Sequence, residues 1–384
     1  MIQRRVGKLL AERLAAYPAV TLVGPRQCGK TTLARSLPGE YFDLEQEPDR
    51  LRLDLEWDRL TSGRRLVVLD EAQAWPGVFP RIRGAIDADR RRPGRFLLLG
   101  SVSPALMTEV SESLAGRLSV LALTPFLYDE LASEAARRRL WLVGGFPDGG
   151  ILQPSCYPQW QRDYLALLTQ RDLPNWGLPA APRVTDRLLR MTAALHGQPW
   201  NASQVGQSLG LSYKTVNSYV DYLEGAFLVR RLPPFQANVR KRLVKTPRLY
   251  WRDSGLLHAV MNAPDDEALL AQPWVGASWE GFILEQVLGA LSTLGVSFEP
   301  YYFRTSDQYE LDLVLDTGRE LWAIEVKLTA SPGPDDMARL DRTADMVGAT
   351  RRFLVTRTRR PSGDERRASC DLPGLIERLR QLGG

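Results

Sequence analysis

The chain has 384 residues, of which 44% are hydrophobic and 25% charged, a globular composition that excludes wholesale disorder and a fibrous protein. At roughly 100–200 residues per domain, this length predicts two or three domains. No apolar run reaches the ~18 residues of a membrane span, and the three scattered cysteines do not form a disulfide framework or a zinc site. We therefore expect a protein of the reducing cytoplasm, without a membrane association.

The chain is mildly basic, with a net charge of +5. Its basic residues are divided very unequally between two types, since 44 are arginine and only 6 are lysine. The two side chains are not interchangeable, because lysine carries a compact ammonium group and arginine a planar guanidinium. A lysine retained in this arginine-rich background is therefore expected where the ammonium itself is needed. Lys30 and Lys327 are such places.

The first candidate site follows a short buried strand over residues 20–24. There the sequence GPRQCGKT matches G-x-x-x-x-G-K-[ST] and leads into a helix, the context that this phosphate-binding loop requires. Its glycines let backbone N–H groups wrap a phosphate chain, and the helix start adds partial positive charge. Lys30 would reach the β- and γ-phosphates, and the Thr31 hydroxyl would bind Mg²⁺. The predicted nucleotide-binding residues are Gly24, Pro25, Arg26, Gln27, Cys28, Gly29, Lys30, Thr31 and Thr32.

An apolar strand that ends in acids is the expected partner of this loop, and residues 66–71, LVVLDE, supply it. Asp70 would hold Mg²⁺ through water, and Glu71 would orient or deprotonate the attacking water. Further strands are predicted over 41–44, 96–101 and 119–124, with helical stretches between them. This alternation predicts a parallel sheet with the ligand at its carboxyl-terminal edge.

Each of two polar residues near the fourth and fifth strands has two possible roles. Ser101 would either sense the γ-phosphate or cap the next helix. Arg117 would act as an arginine finger, in its own chain or on a neighbouring subunit, or would be an ordinary solvated side chain. A finger that acts between subunits requires a homo-oligomer, which we expect.

The middle of the chain is predicted to be helical. Helices over 126–141 and 157–173 form a small subdomain behind the nucleotide domain, and a proline-rich linker follows. Three helices then end at residues 195, 209 and 224, and two strands follow, which is the spacing of a helix-turn-helix with a wing. The third helix would present Tyr213, Lys214 and Asn217, residue types that contact phosphates and bases.

Charge supports a nucleic-acid partner for this segment. Residues 183–248 contain eleven Arg or Lys side chains and three acids, a net charge of +8. A basic module on an otherwise slightly acidic chain is the electrostatic footprint of a protein that binds the DNA backbone. Arg240, Lys241 and Arg242 in the wing are predicted to contribute. The alternative is a protein–protein scaffold with a solvated arginine face.

The C-terminal segment predicts a hairpin of two strands, over 309–316 and 320–328. Asp312 and Glu325 would lie on adjacent strands and could bind a divalent metal. Lys327 could position or deprotonate a water for attack on a phosphodiester. The pattern resembles the D…E-x-K constellation of restriction-endonuclease-like folds, in which Glu280 matches an extra acid on the preceding helix. The alternative is the same fold without retained chemistry.

Together these motifs resemble the prokaryotic AAA-type ATPases that carry the domain of unknown function 4143 at the carboxyl terminus. The matching stretches include GPRQCGKTTLA, LVVLDEAQ, TVNSYVDYLE, KRLVKTPRLYWRDSGLL and AIEVK. The resemblance implies ATP with Mg²⁺ at Gly24, Gly29, Lys30, Thr31, Asp70 and Glu71, and a nuclease-type site at Asp312, Glu325 and Lys327. One departure is Leu99, which stands before Gly100 where relatives tend to carry a polar residue.

We therefore predict an α/β chain with four parts. A P-loop ATPase core spans 1–125, a small helical subdomain and linker 126–182, a winged helix-turn-helix 183–252, and a restriction-endonuclease-like domain 253–384. Three functions are compatible with this organisation. They are an ATP-driven enzyme that remodels or processes duplex or branched DNA, a nucleotide-dependent switch that binds protein partners, and an interaction module with an ATPase as an assembly clamp.

Overall fold

The computed structural model describes residues 2–100, 114–236 and 243–383. Its amino-terminal part contains five parallel strands in the spatial order β2-β3-β4-β1-β5. The strands are β1 (Ala19–Val23), β2 (Gly39–Asp43), β3 (Leu66–Asp70), β4 (Phe96–Gly100) and β5 (Leu118–Ala122). Alternate residues of the central strands enter two separate hydrophobic clusters, so both faces of the sheet are covered, as in other parallel sheets.

Five described helices surround this sheet. They are α1 (Val6–Ala16), α2 (Lys30–Arg35), α3 (Glu47–Leu55), α4 (Trp57–Ser62) and α5 (Val78–Ala88). The predicted α/β fold with a parallel sheet is confirmed, and each predicted strand lies within two residues of its observed bounds. The apolar runs located the strands because their residues are buried on both faces.

A mostly helical stretch follows β5. It contains α6 (Glu134–Val143), α7 (Gln159–Leu167) and α8 (Leu173–Asn175), with π-helical turns over Pro147–Ile151 and Leu168–Asp172. The α6 helix differs from the prediction in its packing. Trp141 lies 5.0 Å from Trp279, ring centroid to ring centroid, so α6 packs against the carboxyl-terminal domain and not behind the nucleotide domain. Its apolar face could be recognised in the sequence, but the surface that covers that face could not.

Residues 182–251 form a unit that we call the helix-turn-helix unit. Its helices are α9 (Pro182–Ala194), α10 (Ala202–Leu209) and α11 (Tyr213–Gly225), and its antiparallel strands are β6 (Gln198–Pro199), β7 (Val229–Leu232) and β8 (Arg248–Trp251). The side chains of Asn201 and Ser212 accept hydrogen bonds from backbone N–H groups and cap α10 and α11. Such caps satisfy donors that have no partner within the helix.

Two short helices, α12 (Ser254–Val260) and α13 (Asp266–Leu270), connect this unit to the last domain. Leu256 and Leu257 of α12 belong to the hydrophobic core of the helix-turn-helix unit. The hydrophobic core of that unit therefore extends into α12, and the boundary at residue 252 stays a prediction.

The carboxyl-terminal domain is a six-stranded mixed sheet with helices on both faces. The order is β13-β14-β12-β11-β10-β9. Its strands are β9 (Glu299–Arg304), β10 (Glu310–Asp316), β11 (Leu321–Val326), β12 (Arg351–Val355), β13 (Ser362–Gly363) and β14 (Arg367–Cys370). Its helices are α14 (Val275–Leu294), α15 (Pro334–Val347) and α16 (Leu372–Arg380). α14 and α16 pack on one face and α15 on the other. Across the described ranges, no helix combines the length and apolar character needed to cross a membrane.

Candidate functional site

The loop between β1 and α2 has the backbone of a tight phosphate-binding turn. Gln27 and Gly29 have left-handed φ angles of +59° and +101°. A Cβ atom at Gly24 would lie 2.2 Å from the carbonyl oxygen of Leu123, so only glycine fits where the loop leaves the sheet. The loop thus leaves the carboxyl-terminal end of β1 in close contact with the segment after β5.

Lys30 lies at the centre of this loop. Its Nζ donates hydrogen bonds to the carbonyl oxygens of Gly24, at 3.0 Å, and Pro25, at 2.9 Å, and the residue is only 6% exposed. The structure therefore holds a buried ammonium charge inside a ring of backbone groups. An anion that enters the loop would meet this charge at short range, in a region of low dielectric.

The two predicted magnesium-binding residues of this site are in contact. The Thr31 hydroxyl donates to Asp70 Oδ2 at 2.7 Å, and the Tyr41 hydroxyl donates to the same oxygen at 2.5 Å. Asp70 ends β3, and Tyr41 lies on the neighbouring β2 opposite Val68, so the long Tyr41 side chain reaches along the sheet to Asp70. A hydroxyl and a carboxylate are hard oxygen ligands of the kind that Mg²⁺ prefers.

Glu71 follows Asp70 in a left-handed backbone conformation, with a φ of +48°. Such strained positions in non-glycine residues are concentrated at functional sites. Burial raises the pKa of the Glu71 carboxyl, while the nearby charge of Lys30 and a hydrogen bond from Gln73 act in the opposite direction. Glu71 is therefore a carboxylate with strengthened basicity beside the loop.

Glu71 and most residues of the loop line a cleft of 1280 Å³. This volume is somewhat larger than the ~300–1,000 Å³ of many small-ligand pockets. The helical segment opposite the loop forms the other wall. Residues from both walls line it: Arg26, Gln27, Cys28, Gly29, Lys30, Thr31, Thr32, Glu71, Asp148, Tyr164, Arg171 and Asp172. The structure thus assembles nearly all predicted loop residues in one cavity.

Two contacts of the loop were missed by the sequence analysis. Arg26 Nη1 pairs with Asp172 Oδ1 at 2.9 Å. Arg4 donates to the carbonyl oxygen of Cys28 at 2.9 Å and to Glu130 Oε1 at 3.0 Å. Asp172 and Glu130 lie more than a hundred positions from their partners, so no local pattern could have found these pairs. They attach the loop to segments outside the parallel sheet.

Arg117 is not brought to the loop of its own chain. It pairs with Asp87 through Nε and Nη2, at 2.9 and 3.0 Å, and it precedes β5. The β1 and β5 strands are parallel, with Ala19 opposite Leu118, so Arg117 lies at the amino-terminal edge of the sheet and the loop at the other edge. A finger in cis is inconsistent with this position. A finger acting on a neighbouring subunit stays a prediction, and Ser101 lies outside the described residues.

The exposed face of α11 contains part of the predicted DNA-binding set. Tyr213 is 53% exposed, and Lys214 is also exposed. Asn217 is only partly exposed, and its Oδ1 accepts a hydrogen bond from Trp200 Nε1 at 2.9 Å, so that oxygen serves the packing of the unit. Arg240, Lys241 and Arg242 lie outside the described residues.

The positive charge of the helix-turn-helix unit is partly neutralised by acids of the carboxyl-terminal domain, which its own net charge does not include. Of its eight described basic side chains, four pair with acids: Arg190 with Asp186, Arg231 with Asp221 and Glu224, Arg230 with Glu285, and Arg248 with Glu280 and Glu310. The pairs of Arg230 and Arg248 dock this unit on the carboxyl-terminal domain. A count of charges along the sequence cannot distinguish such paired groups from free ones.

The predicted hairpin of β10 and β11 is present and antiparallel. Asp312 Oδ2 accepts the backbone N–H of Val326 at 2.8 Å, and Glu325 Oε1 pairs with Lys327 Nζ at 3.1 Å. The second oxygen of Glu325 is buried without a hydrogen-bond partner among the described residues. Asp312, Glu325 and Lys327 are therefore neighbours, as expected.

The metal site expected from Glu280, Asp312 and Glu325 stays a prediction. Nowhere in residues 2–100, 114–236 and 243–383 are three or more His, Cys, Asp or Glu side chains arranged to hold a metal ion. The Nη1 atom of Arg248 lies 3.3 Å from Glu280 Oε1 and 3.8 Å from Asp312 Oδ1. A guanidinium therefore contacts two of the three side chains that the prediction assigns to a divalent cation.

Burial and mutual repulsion make these acids weak. Burial, opposed by the backbone bond from Val326, raises the pKa of Asp312 to about 6. Burial and the charge of Asp312 raise the pKa of Glu325 to about 8, and they raise the pKa of Glu280 well above its usual range. The cluster therefore favours protons or cations over free carboxylates.

Comparison with known proteins identifies the class. Models of an AAA domain, the domain of unknown function DUF8612 and the domain of unknown function DUF4143 match residues 16–132, 134–267 and 275–372. The chain belongs to the family of AAA-type P-loop ATPases that carry a DUF4143 domain. Two relatives are the uncharacterized proteins Mb2031c of Mycobacterium bovis and Rv2008c of Mycobacterium tuberculosis. Each is 38% identical over 338 residues, which cover 86% of this chain and 75% of the relative.

Solved structures give weaker similarity. The Aeropyrum pernix ORC1 protein in complex with DNA matches 67% of this chain and 92% of its own, with 14% identity and a TM-score of 0.30. AMPPCP-bound DnaA from Aquifex aeolicus matches 57% of this chain and 85% of its own, with 13% identity and a TM-score of 0.28.

Proposed function

We propose that the chain binds ATP with Mg²⁺ at the P-loop and hydrolyses it. The observation that carries this proposal is the Lys30 ammonium, buried inside the loop beside the Thr31–Asp70 pair. Its two carbonyl contacts are weak substitutes for phosphate oxygens, because hydrogen bonds to charged acceptors are roughly twice as strong as those to neutral ones. Bound ATP would supply the γ-phosphoryl group as the electrophile.

Each surrounding residue has a definite task in this proposal. The Thr31 hydroxyl would turn from Asp70 towards Mg²⁺, and Asp70 would hold the ion through water while Tyr41 fixes its carboxylate. Glu71 would orient the attacking water and accept its proton. A buried carboxylate with a raised pKa is a better general base than a solvated one.

We further propose that the helix-turn-helix unit is a winged helix that binds DNA. Tyr213 and Lys214 at the start of α11 support this, since the first residues of such a helix contact base edges and phosphates. Arg183, Arg187 and Lys245 are exposed on the same unit and would contact the backbone. The ATPase would then move or remodel duplex or branched DNA, in a homo-oligomer in which Arg117 serves a neighbouring subunit.

A second candidate function is a nucleotide-dependent switch that binds protein partners. The Arg26–Asp172 pair favours it, because a change in the loop would be transmitted directly to the helical segment. Cleavage of DNA by Asp312, Glu325 and Lys327 has less support, since the guanidinium of Arg248 lies beside Asp312.

Steady-state ATP hydrolysis with Mg²⁺, with and without duplex and branched DNA, tests the proposal. K30A is the inactive variant, and R138A, which removes an exposed basic side chain outside the cleft, is the matched control. Strong stimulation by DNA would establish a DNA-processing ATPase. Hydrolysis that is indifferent to every DNA would favour the switch, and full turnover by K30A would overturn the assignment of the site.

A further inference from the structure

We propose that Arg248 takes the place of a divalent cation in the acid cluster of the carboxyl-terminal domain and locks the helix-turn-helix unit onto that domain. The cluster consists of Glu280 on α14 and Glu310 and Asp312 on β10. This inference concerns a site other than the P-loop, and it does not depend on ATP hydrolysis or DNA binding.

The guanidinium of Arg248 is held by groups on several elements. Nη1 approaches Glu280 and Asp312, and Nη2 pairs with Glu310. The guanidinium also lies over the Tyr302 ring of β9, 4.9 Å from its centroid. Only 5% of the side chain is exposed, so the charge is buried among its partners. A planar guanidinium suits this role because it presents several N–H donors in fixed directions.

A neighbouring hydroxyl reinforces the same contact. Tyr250, two residues further along β8, donates its hydroxyl proton to Glu280. Side chains two residues apart lie on the same face of a strand, so Arg248 and Tyr250 reach into the cluster together. The strand β8 therefore carries both the guanidinium of Arg248 and the hydroxyl that hydrogen-bonds to Glu280 of the cluster.

A divalent cation and this guanidinium exclude each other. Mg²⁺ requires oxygen ligands at about 2.0–2.1 Å in a nearly octahedral arrangement, and the acids of the cluster are instead spaced around a larger, planar group. Two cations between the same oxygens would also repel each other strongly in a buried site. The cluster can take a metal ion only when β8 withdraws.

The lock is part of a longer interface. Arg230 on β7 and Arg252, directly after β8, both pair with Glu285 of α14, at 3.2 and 3.1 Å. Glu280 and Glu285 lie on the same helix, so Arg230, Arg248 and Arg252 all meet acids of the carboxyl-terminal domain. Arg248 is the member of this set that enters the predicted metal site.

Mn²⁺ binding to the full-length, nucleotide-free protein, followed by electron paramagnetic resonance, tests the proposal. We expect wild type to show no Mn²⁺ site that depends on Asp312. R248M, which keeps an unbranched, flexible side chain but removes the guanidinium and its charge, should gain one site per chain, and R248M/D312N should lose it. R252A is the matched control, because it removes an interface arginine that does not touch the cluster, and it should gain none.

Hydrogen exchange tests whether Arg248 holds the helix-turn-helix unit on the carboxyl-terminal domain, and this measurement does not require metal binding. Backbone N–H groups of β7 and β8 should exchange at least ten-fold faster in R248M than in wild type. A wild-type Mn²⁺ site abolished by D312N would overturn the proposal. So would a folded R248M variant without a new site, or one whose exchange in β8 is unchanged.

Discussion

Arg26 and Asp172 form an ion pair of 2.9 Å across 146 positions of the sequence. The pair joins the third residue of the P-loop to the helical segment that forms the opposite wall of the cleft. The Asp172 side chain is 6% exposed, so the link is shielded from solvent and is screened little by salt. The nucleotide loop and the middle of the chain are therefore mechanically connected.

Substitution of this acid should weaken nucleotide binding. D172N removes the charge that holds Arg26, and hydrogen bonds to charged groups contribute about 1.5–3 kcal/mol each. We expect roughly a ten-fold loss of ATP affinity, which corresponds to about 1.4 kcal/mol, measured by titration with a fluorescent ATP analogue. D163N, which changes an exposed aspartate on α7, is the control. Equal affinities of D172N and wild type would show that the pair does not order the loop.

Glu71 is predicted to act in the chemical step and not in binding. E71Q keeps the shape of the side chain but cannot accept a proton, and general base catalysis contributes roughly 10²–10⁴-fold. We expect E71Q to bind ATP like wild type and to lose at least about 100-fold in turnover. Single-turnover hydrolysis with E47Q, an exposed glutamate variant, measures this. Normal turnover by E71Q would remove Glu71 from the role of base.

Lys214 is predicted to contact a DNA phosphate. Its replacement by alanine should weaken binding to all DNA sequences about equally, and the slope of log affinity against log salt should fall by about 1. The measurement is a binding titration at several salt concentrations, with K8A beside it. The same slope for K214A and wild type would exclude Lys214 from the interface.

The buried side chain of His258 predicts that the stability of the folded protein depends on pH. His258 is buried between Leu142 and Ser278, and burial lowers its pKa to about 4. The folded protein therefore binds fewer protons than the unfolded chain between pH 6.5 and 4. The stability that the neutral ring contributes is present above pH 6.5 and is lost as the pH falls through this window. At pH 5 the loss from this group is about 2 kcal/mol.

The H258Q variant isolates this effect. Burial raises the pKa of Asp253 to about 6, and a raised carboxyl pKa adds stability as the pH falls from 6, but this contribution is common to both proteins. Urea unfolding at pH 7 and pH 5 should therefore show a smaller loss of stability in H258Q than in wild type, by about 2 kcal/mol. Parallel losses in the two proteins would contradict the neutral buried ring.

The P-loop and the five strands could be predicted because their signals are local. The loop needs glycines and a lysine at fixed spacing, and buried strands are short apolar runs such as residues 66–70. Thr31 and Asp70 are in contact for the same reason. Asp70 ends the parallel strand β3, and Thr31 follows directly after the loop that begins at the end of β1. Short stretches of sequence are thus enough to predict the parallel sheet and the P-loop.

The acid cluster could not be predicted because its decisive contacts are distant. Along the sequence, Arg248 is one of the basic residues expected to favour DNA, yet its partners Glu280 and Glu310 lie 32 and 62 positions away. The sequence predicts Glu280 as a metal ligand, and the structure shows its contacts with Arg248 and Tyr250. The positions of charges along a chain do not show which of them meet, and that difference decides between a metal site and an ion-paired lock.

The most direct test of the central claim is calorimetric titration of wild type, K30A and R138A, a variant at an exposed arginine outside the cleft, with ATP in the presence of Mg²⁺. We predict one ATP site per chain in wild type and in R138A, and no measurable binding by K30A, because the buried ammonium that meets the β- and γ-phosphates is gone. ATP affinity in K30A equal to that of wild type would contradict the P-loop assignment and the ATPase function that follows from it.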